Sequence, residues 1–426
     1  MNWRTNVREF FNLRCFKVAM MRKLSLQVVA ALLVISGGAQ VALSATADDQ
    51  EHAEASQANN PGKMPNFWDP ATRLLMWIQQ NEGLVDCEVG EVNAEGLRGV
   101  RARRDMKLHQ VAVKLPKVMA ITLKEWNVTS EEHALWMLKK KAVNKDWDKI
   151  MGPYWASLPP QGTIHTKETY PRDSLDLLQD GSMAAFVRVH QDFTANVLRG
   201  GKPHIVKNVK EELERDLSLD EFRYWTAVVS AYAFTFPDEA SDDGKQIRIM
   251  LPLLDLLNHG NEGEANIGIM RDEDGSYLAY AKRPIKKGEE LVHAYNKVCE
   301  RNDQSLFHYG FIQDLDPPLL SALDTPNGNL YDTAEYTEAD YEEGGSLATA
   351  DEKKRLEELL ASFPTTEAED EKLLSGGGWM DKVLGKSKVE GELERMFVKF
   401  RMLRKKALRV TIEKLARILE GDKAEL

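Results

Sequence analysis

The sequence predicts an α+β fold in which short strands bracket a long helical middle and an all-helical stretch follows. Three observations carry that expectation. Residues 95–102 and 111–116 alternate in the period-two manner of half-buried strands, read here as a pair around a turn. Residues from about 120 to 245 carry helix-compatible apolar spacing, broken by Pro159-Pro160-Gln161-Gly162 and by the polar run 237–244. Residues 389–419 place Leu393, Met396, Phe397, Phe400, Leu403 and Ala407 on one side of a long helix and many Lys and Arg on the other.

At 426 residues the chain is long enough for two domains after any leader is removed. Met21-Arg22-Lys23 precede an uncharged, apolar run over 28–45 that ends in Ala42-Leu43-Ser44-Ala45, the layout of a signal peptide with a small-residue cleavage site. Residues 1–45 are therefore expected to be a targeting leader, either a secretory signal or the first part of a bipartite presequence for an organelle such as a plastid. A buried N-terminal helix is the alternative. The polar residues 46–67 read as a linker, and Asn127-Val128-Thr129 is a glycosylation sequon if the chain enters the secretory pathway.

The net charge is −11; the first 45 residues carry +5, which leaves −16 on residues 46–426. Such a body repels phosphate backbones, so general nucleic-acid binding is not expected and a basic protein or peptide is the better partner. After residue 45 no apolar run is long enough to span a bilayer. Cys15 falls in the leader, leaving Cys87 and Cys299, with no Cys-x-x-Cys and hence no cysteine-based zinc cluster.

In chain order, residues 71–80 put Leu74, Leu75, Trp77 and Ile78 on one helical face, stopped by Asn81-Glu82-Gly83. The strand-like stretch reads Glu95-Gly96-Leu97-Arg98-Gly99-Val100-Arg101-Ala102. Helices are expected over 131–141, 173–179, 183–198 and 219–234, with Tyr154-Trp155-Ala156-Ser157-Leu158-Pro159 between the first two. Three polar motifs follow. Leu251-Pro252-Leu253-Leu254-Asp255-Leu256-Leu257-Asn258-His259 closes an apolar run on an Asn-His pair; Gly288-Glu289 leads to Tyr295; and His308-Tyr309-Gly310-Phe311-Ile312 returns two aromatics. An acidic loop over 331–343, the segment Phe363-Pro364-Thr365-Thr366-Glu367-Ala368-Glu369-Asp370-Glu371, and Gly376-Gly377-Gly378 precede the last helix. Neither Gly-x-Ser-x-Gly nor His-Glu-x-x-His occurs, which removes two common hydrolase routes.

Together these motifs resemble those of SET-domain protein methyltransferases, in the branch of the Rubisco large-subunit lysine methyltransferase and the actin-histidine methyltransferase. The resemblance spans approximately residues 68–420. It implies a split SET domain of small β-sheets over 68–318 with a large helical insert at about 120–245, then an all-helical, substrate-binding-like domain over 319–426. It implies S-adenosylmethionine as cofactor, no metal, and a protein substrate methylated on lysine. A histidine acceptor, or an inactive SET module that binds a protein, are the alternatives. By the same resemblance Leu97, Arg98 and Gly99, then Tyr232, Asn258, His259 and Phe311, are expected to bind the cofactor. Tyr295 is expected to be catalytic at the mouth of a channel that Tyr309 lines. Two departures stand out. Tyr232 occupies a position where relatives carry an arginine, so Arg98 or Arg248 is expected to compensate. The segment 296–308 is one residue longer than in the Rubisco enzyme, which would shift Tyr309 relative to Tyr295.

Overall fold

The computed structural model describes residues 69–375, with breaks at 95, 126–127, 203–204, 206–207, 238–244, 262, 296–300, 327 and 329–336, and residues 391–424. The expected leader and linker, Asn127 of the sequon, Cys299, most of the acidic loop and Gly376-Gly377-Gly378 lie outside the described residues.

The strands are β1 (Leu84–Val85), β2 (Cys87–Glu91), β3 (Arg98–Ala102), β4 (Val111–Leu115), β5 (Ile121–Glu125), β6 (Ala233–Pro237), β7 (Gln246–Met250), β8 (Asn258–His259), β9 (Ile267–Arg271), β10 (Tyr277–Ala281) and β11 (Val292–His293). The helices are α1 (Pro70–Gln80), α2 (Ser130–Val143), α3 (Lys145–Ile150), α4 (Gly152–Ser157), α5 (Gly181–Leu198), α6 (Val209–Leu213), α7 (Leu219–Tyr232), α8 (Asn302–Tyr309), α9 (Ala350–Ala361), α10 (Glu367–Leu374) and α11 (Glu392–Ala424). Among the described residues no helix is long and apolar enough to cross a membrane.

Local chemistry explains where several elements begin. Asp69 caps α1 by accepting from the Thr72 N–H at 2.9 Å, ahead of a proline in its first turn. Thr129 and Glu132 form a reciprocal capping box on α2, and Thr366 with Glu369 does the same on α10. The residues expected in a helix at 173–179 wind instead as a 3-10 helix, Arg172–Leu178.

The strands form four small sheets, ordered β1-β4-β10-β9, β2-β3, β5-β7-β6 and β8-β11. The two segments expected to pair with each other are both strands, but they belong to different sheets. β3 pairs with β2, and hydrogen bonds tie their ends together: Val92 N–H donates to Leu97 O at 2.7 Å and Leu97 N–H to Asn93 Oδ1 at 2.8 Å. Gly96 sits there at φ 81°, which favours glycine. β4 instead lies between β1 and β10. The helical region is also narrower than its expected bounds. Residues 121–125 and 233–237 are strands on either side of β7, and α7 stops at Tyr232, two residues short, because Ala233 is already extended at ψ 131°.

One apolar core joins α1, the sheets and the inner faces of α2 and α7. A second brings Tyr170, Leu175, Met183 and Val187 against Leu306 and Phe307 of α8 and against Phe397 and Phe400 of α11. Beneath α11 lie buried charges. Arg404 pairs with Asp180 and Asp324, its Nε donating to Asp324 Oδ2 at 2.8 Å, and Arg401 and Lys405 share Asp370. After residue 318 all regular structure among the described residues is helical.

Candidate active site

The site is assembled on β3, β8 and β11, three strands far apart in the chain. Residues 251–257 are buried, so the first side chains able to reach an open face after that run are Asn258 and His259 of β8. Leu253, at φ 74°, holds the turn that leads into them, a conformation that costs a non-glycine residue about 1 kcal/mol or more. β8 pairs in parallel with β11, Asn258 opposite Val292 and His259 opposite His293.

Asn258 ties these strands to β3. Its amide donates to Arg98 O at 3.0 Å and to Glu290 Oε1 at 2.8 Å. The approach is close enough that a Cβ on Gly99 would stand 2.7 Å from Asn258 Nδ2, 2.7 Å from Val92 Cγ1 and 2.9 Å from Glu290 Oε1. Glycine at 99 is therefore required by space. Leu97, half exposed at the turn before β3, sits on the rim of this junction.

On the other side of β8 is an aromatic group. His259 Nδ1 accepts from Tyr295 N–H at 3.3 Å, which places the proton of the neutral ring on Nε2. The Tyr295 ring lies 5.2 Å from His259, 4.9 Å from His293 and 4.9 Å from Tyr309, and it meets Phe311 edge-on at 6.3 Å. Its hydroxyl donates to Leu257 O at 3.0 Å, fixing the ring against the end of the apolar run. Tyr309 thus stands in contact with Tyr295. Gly310, between the two returning aromatics, has φ 75°, and a Cβ there would overlap His165 O at 1.6 Å. Phe311 also borders a cavity of about 550 Å3 shared with Gly310, Ile312, Leu374, Arg395 and Met396, so the aromatic group opens toward the start of α11.

A third group lies at the end of α7. Burial pushes the Tyr232 phenol up to about 12, against the pull of the neighbouring Arg98 guanidinium, to which it is hydrogen-bonded. Arg98 also donates from Nη1 to Ser157 O at 2.6 Å. Behind it Tyr154 donates to Asp255, and burial raises the Asp255 carboxyl to about 8 although the Tyr154 hydrogen bond and Arg98 both pull it down. Of the two cations expected to compensate at Tyr232, Arg98 is the one beside it. Arg248 instead donates to Ser130 Oγ at 3.0 Å, and burial pulls its guanidinium down against the opposing charges of Tyr309, Glu168 and Glu131. Burial pushes His293 down to about 4 and His308 down to about 3, so both rings are neutral at pH 7.

Leu97, Arg98, Gly99, Tyr232, Asn258, His259, Tyr295, Tyr309 and Phe311 therefore fall into three adjoining groups, and Arg248 lies outside them. Four contributors were not singled out. Glu290 was legible as the residue after Gly288-Glu289, and Tyr154 and Asp255 lay inside quoted motifs; His293 had no distinguishing signal.

The chain thus combines small sheets, a helical insert and an Asn-His strand tied to β3. Residues 97–296 match the SET domain family model. Among curated proteins it is similar to the N-lysine methyltransferase SETD6 of Rattus norvegicus, 28% identical over 213 residues, and of Mus musculus, 31% identical over 213 residues. Each alignment takes in 48% of this chain and 40% or 41% of the relative, so the chain spans less than half the length of these relatives. Among solved structures it is similar to the SET domain of LSMT bound to lysine and AdoHcy, with TM-score 0.56 and 15% identity over 83% of this chain and 92% of that one. That likeness shows the fold.

Proposed function

We propose that the chain is an S-adenosylmethionine-dependent protein methyltransferase acting on a lysine side chain. The observation that carries this reading is the convergence of Gly99, Asn258 and Tyr295 through the paired strands β8 and β11. The residues present fit the cofactor. Arg98 supplies a cation beside Tyr232 where relatives carry an arginine, and Leu97 next to it is half exposed. Leu97, Arg98, Gly99, Tyr232, Asn258, His259 and Phe311 are the residues assigned to hold it. When bound, the cofactor supplies a methyl on a sulfonium, which passes in line to the acceptor nitrogen as the S–C bond breaks, leaving a thioether and an alkylammonium.

The chain's own work is positioning and desolvation. Tyr295 and Tyr309, with rings 4.9 Å apart, form aromatic walls that disfavour a full ammonium hydration shell and so favour the neutral amine able to attack. The anchored Tyr295 hydroxyl fixes the width of that passage. His259 holds the backbone of Tyr295 in place, and the neutral His293 packs against its ring. The SETD6 relatives are named as lysine methyltransferases, and the LSMT structure holds lysine and AdoHcy, which favours lysine over histidine as acceptor.

The test is titration of the purified full-length protein with S-adenosylmethionine by calorimetry, followed by radiolabel transfer to a protein extract. Saturable binding with label on lysine supports the reading. Absence of binding favours an inactive SET module that binds a protein. We also propose that residues 1–45 are a targeting leader for the secretory pathway or a plastid-like organelle, supported by their charge pattern and small-residue end. N-terminal sequencing of the protein from its native cells tests this: a start near residue 46 is expected, and an intact Met1 or Met21 start would refute it.

A further inference from the structure

Among the described residues two lysines are buried, Lys405 beneath α11 and Lys167 beside the site. Lys405 is held by Asp370, whereas Lys167 joins three helices. Its carbonyl accepts from Gln191 Nε2 of α5 at 3.0 Å, which fixes where its side chain starts. Its ammonium pairs with Glu168 at 3.0 Å, donates to Ser230 Oγ of α7 at 2.8 Å and lies 5.1 Å from the centre of the buried Phe307 ring of α8. The segment that carries it wraps the end of α8. Tyr170 Oη donates to Leu306 O at 2.7 Å, and His165 O fills the space where a Gly310 side chain would stand.

An ion pair as buried as Lys167–Glu168 is weak evidence of stabilisation, because well-packed apolar residues of the same volume often do as well. Glu168 also accepts from Thr166 Oγ1 at 2.6 Å, and His190 Nε2 lies 3.5 Å from it. What the lysine adds is direction. Ser230 stands two residues before Tyr232, and Phe307 two before Tyr309. Tyr232 is hydrogen-bonded to Arg98 on the cofactor side, and the Tyr309 ring lies against Tyr295 on the acceptor side.

We propose that Lys167 is a positioning residue that ties the last turn of α7 to α8 and so sets the spacing between the cofactor group at Tyr232 and the acceptor passage at Tyr309. The chemistry rests on the methyltransferase reading; the tie itself rests on the contacts to Ser230 and Phe307. In-line transfer depends on that spacing, since a misplacement of about 1 Å can cost about a hundredfold in rate. Each side keeps its own contacts when the tie is cut, Tyr232 with Arg98 and Tyr309 with Tyr295, so cofactor affinity changes little while the rate falls.

The experiment uses the full-length protein with Ser230→Ala, which removes the acceptor and leaves the Lys167–Glu168 pair in place, and with Ser230→Thr, which keeps the hydroxyl. In Ser230→Ala the rate of radiolabel transfer to the protein extract at saturating S-adenosylmethionine should fall about tenfold, with the calorimetric Kd for S-adenosylmethionine within about threefold of wild type. Ser230→Thr should restore the rate. Lys167→Met should lower it at least as far, and adding Ser230→Ala to that variant should lower it no further, because both changes cut one contact. An unchanged rate in Ser230→Ala would overturn the proposal, as would a loss that Ser230→Thr does not restore or one matched by an equal loss of cofactor affinity. Lys167→Met leaves Glu168 without its cation; where that variant fails to fold, the serine pair decides alone. Labelling with 13Cζ-tyrosine separates the tie from the chemistry. The Tyr232 and Tyr309 resonances, each identified by its loss in Tyr232→Phe or Tyr309→Phe, should shift in Ser230→Ala and return in Ser230→Thr; unmoved resonances overturn the tie. If the wild-type protein transfers no methyl, the methyltransferase reading fails, whereas these resonances still decide whether Lys167 joins the two helices.

Discussion

Gly90 and Gly99 face each other across the β2–β3 pair, yet the space around them differs sharply. A Cβ on Gly90 meets nothing within 4 Å, whereas one on Gly99 meets Asn258, Val92 and Glu290 at 2.7 to 2.9 Å. Gly90→Ala should therefore be neutral or stabilising by up to about 1 kcal/mol, since alanine loses less conformational entropy in a strand. Gly99→Ala must displace the Asn258, Val92 and Glu290 side chains. The cost is about 1–3 kcal/mol for overpacking, with about 1 kcal/mol more for each Asn258 hydrogen bond that breaks. Urea denaturation reads the first effect as a lower midpoint, and calorimetry with S-adenosylmethionine reads the second as at least a tenfold weaker affinity, equivalent to about 1.4 kcal/mol. Equal midpoints for the two variants would refute the close-approach argument. A lowered midpoint with unchanged affinity would refute the placement of the cofactor against β3.

Tyr295→Phe should reduce turnover more than cofactor affinity, because it removes the hydroxyl anchored on Leu257 O but keeps the ring; steady-state kinetics beside calorimetry measure both, and equal activity would remove Tyr295 from its role. Asp255 has a folded-state value of about 8, above its unfolded value of roughly 4, so the folded state binds the extra proton and stability falls as pH rises through that window. Asp255→Asn should keep an acceptor for Tyr154 and flatten the decline between about pH 4 and 8, as read by melting temperature across that range. Arg404→Met leaves the buried Asp180 and Asp324 without their cation and should cost about 3–5 kcal/mol of stability in denaturant titrations.

Much of the site was legible because its residues sit in short, unusual strings. An Asn-His pair after seven buried residues and a Tyr-Gly-Phe return identify themselves by the cost of placing polar and aromatic groups together. Gly99 was legible as a glycine but not as a spacer, since the atoms that fill the space above it come from residues 258 and 290. Strand pairing was not legible for the same reason. The alternation over 95–102 and 111–116 marks both as strands, yet β3 finds a nearer partner in β2, and β4 finds β10 more than 160 residues later. The compensating cation was narrowed to two residues by sequence; only the packing of Ser157 O against Arg98, and of Ser130 against Arg248, separates them.

The second apolar core has a practical consequence for how this chain can be divided. Phe307, one residue before His308 and two before Tyr309, is held from outside by Phe397 and Phe400 of the last helix. A fragment cut near residue 318 would bare that seam and leave the aromatic passage without its outer brace. The terminal helix is therefore a mechanical support of the aromatic group, and shortening it before Phe400 should loosen Tyr309 as surely as a mutation beside it.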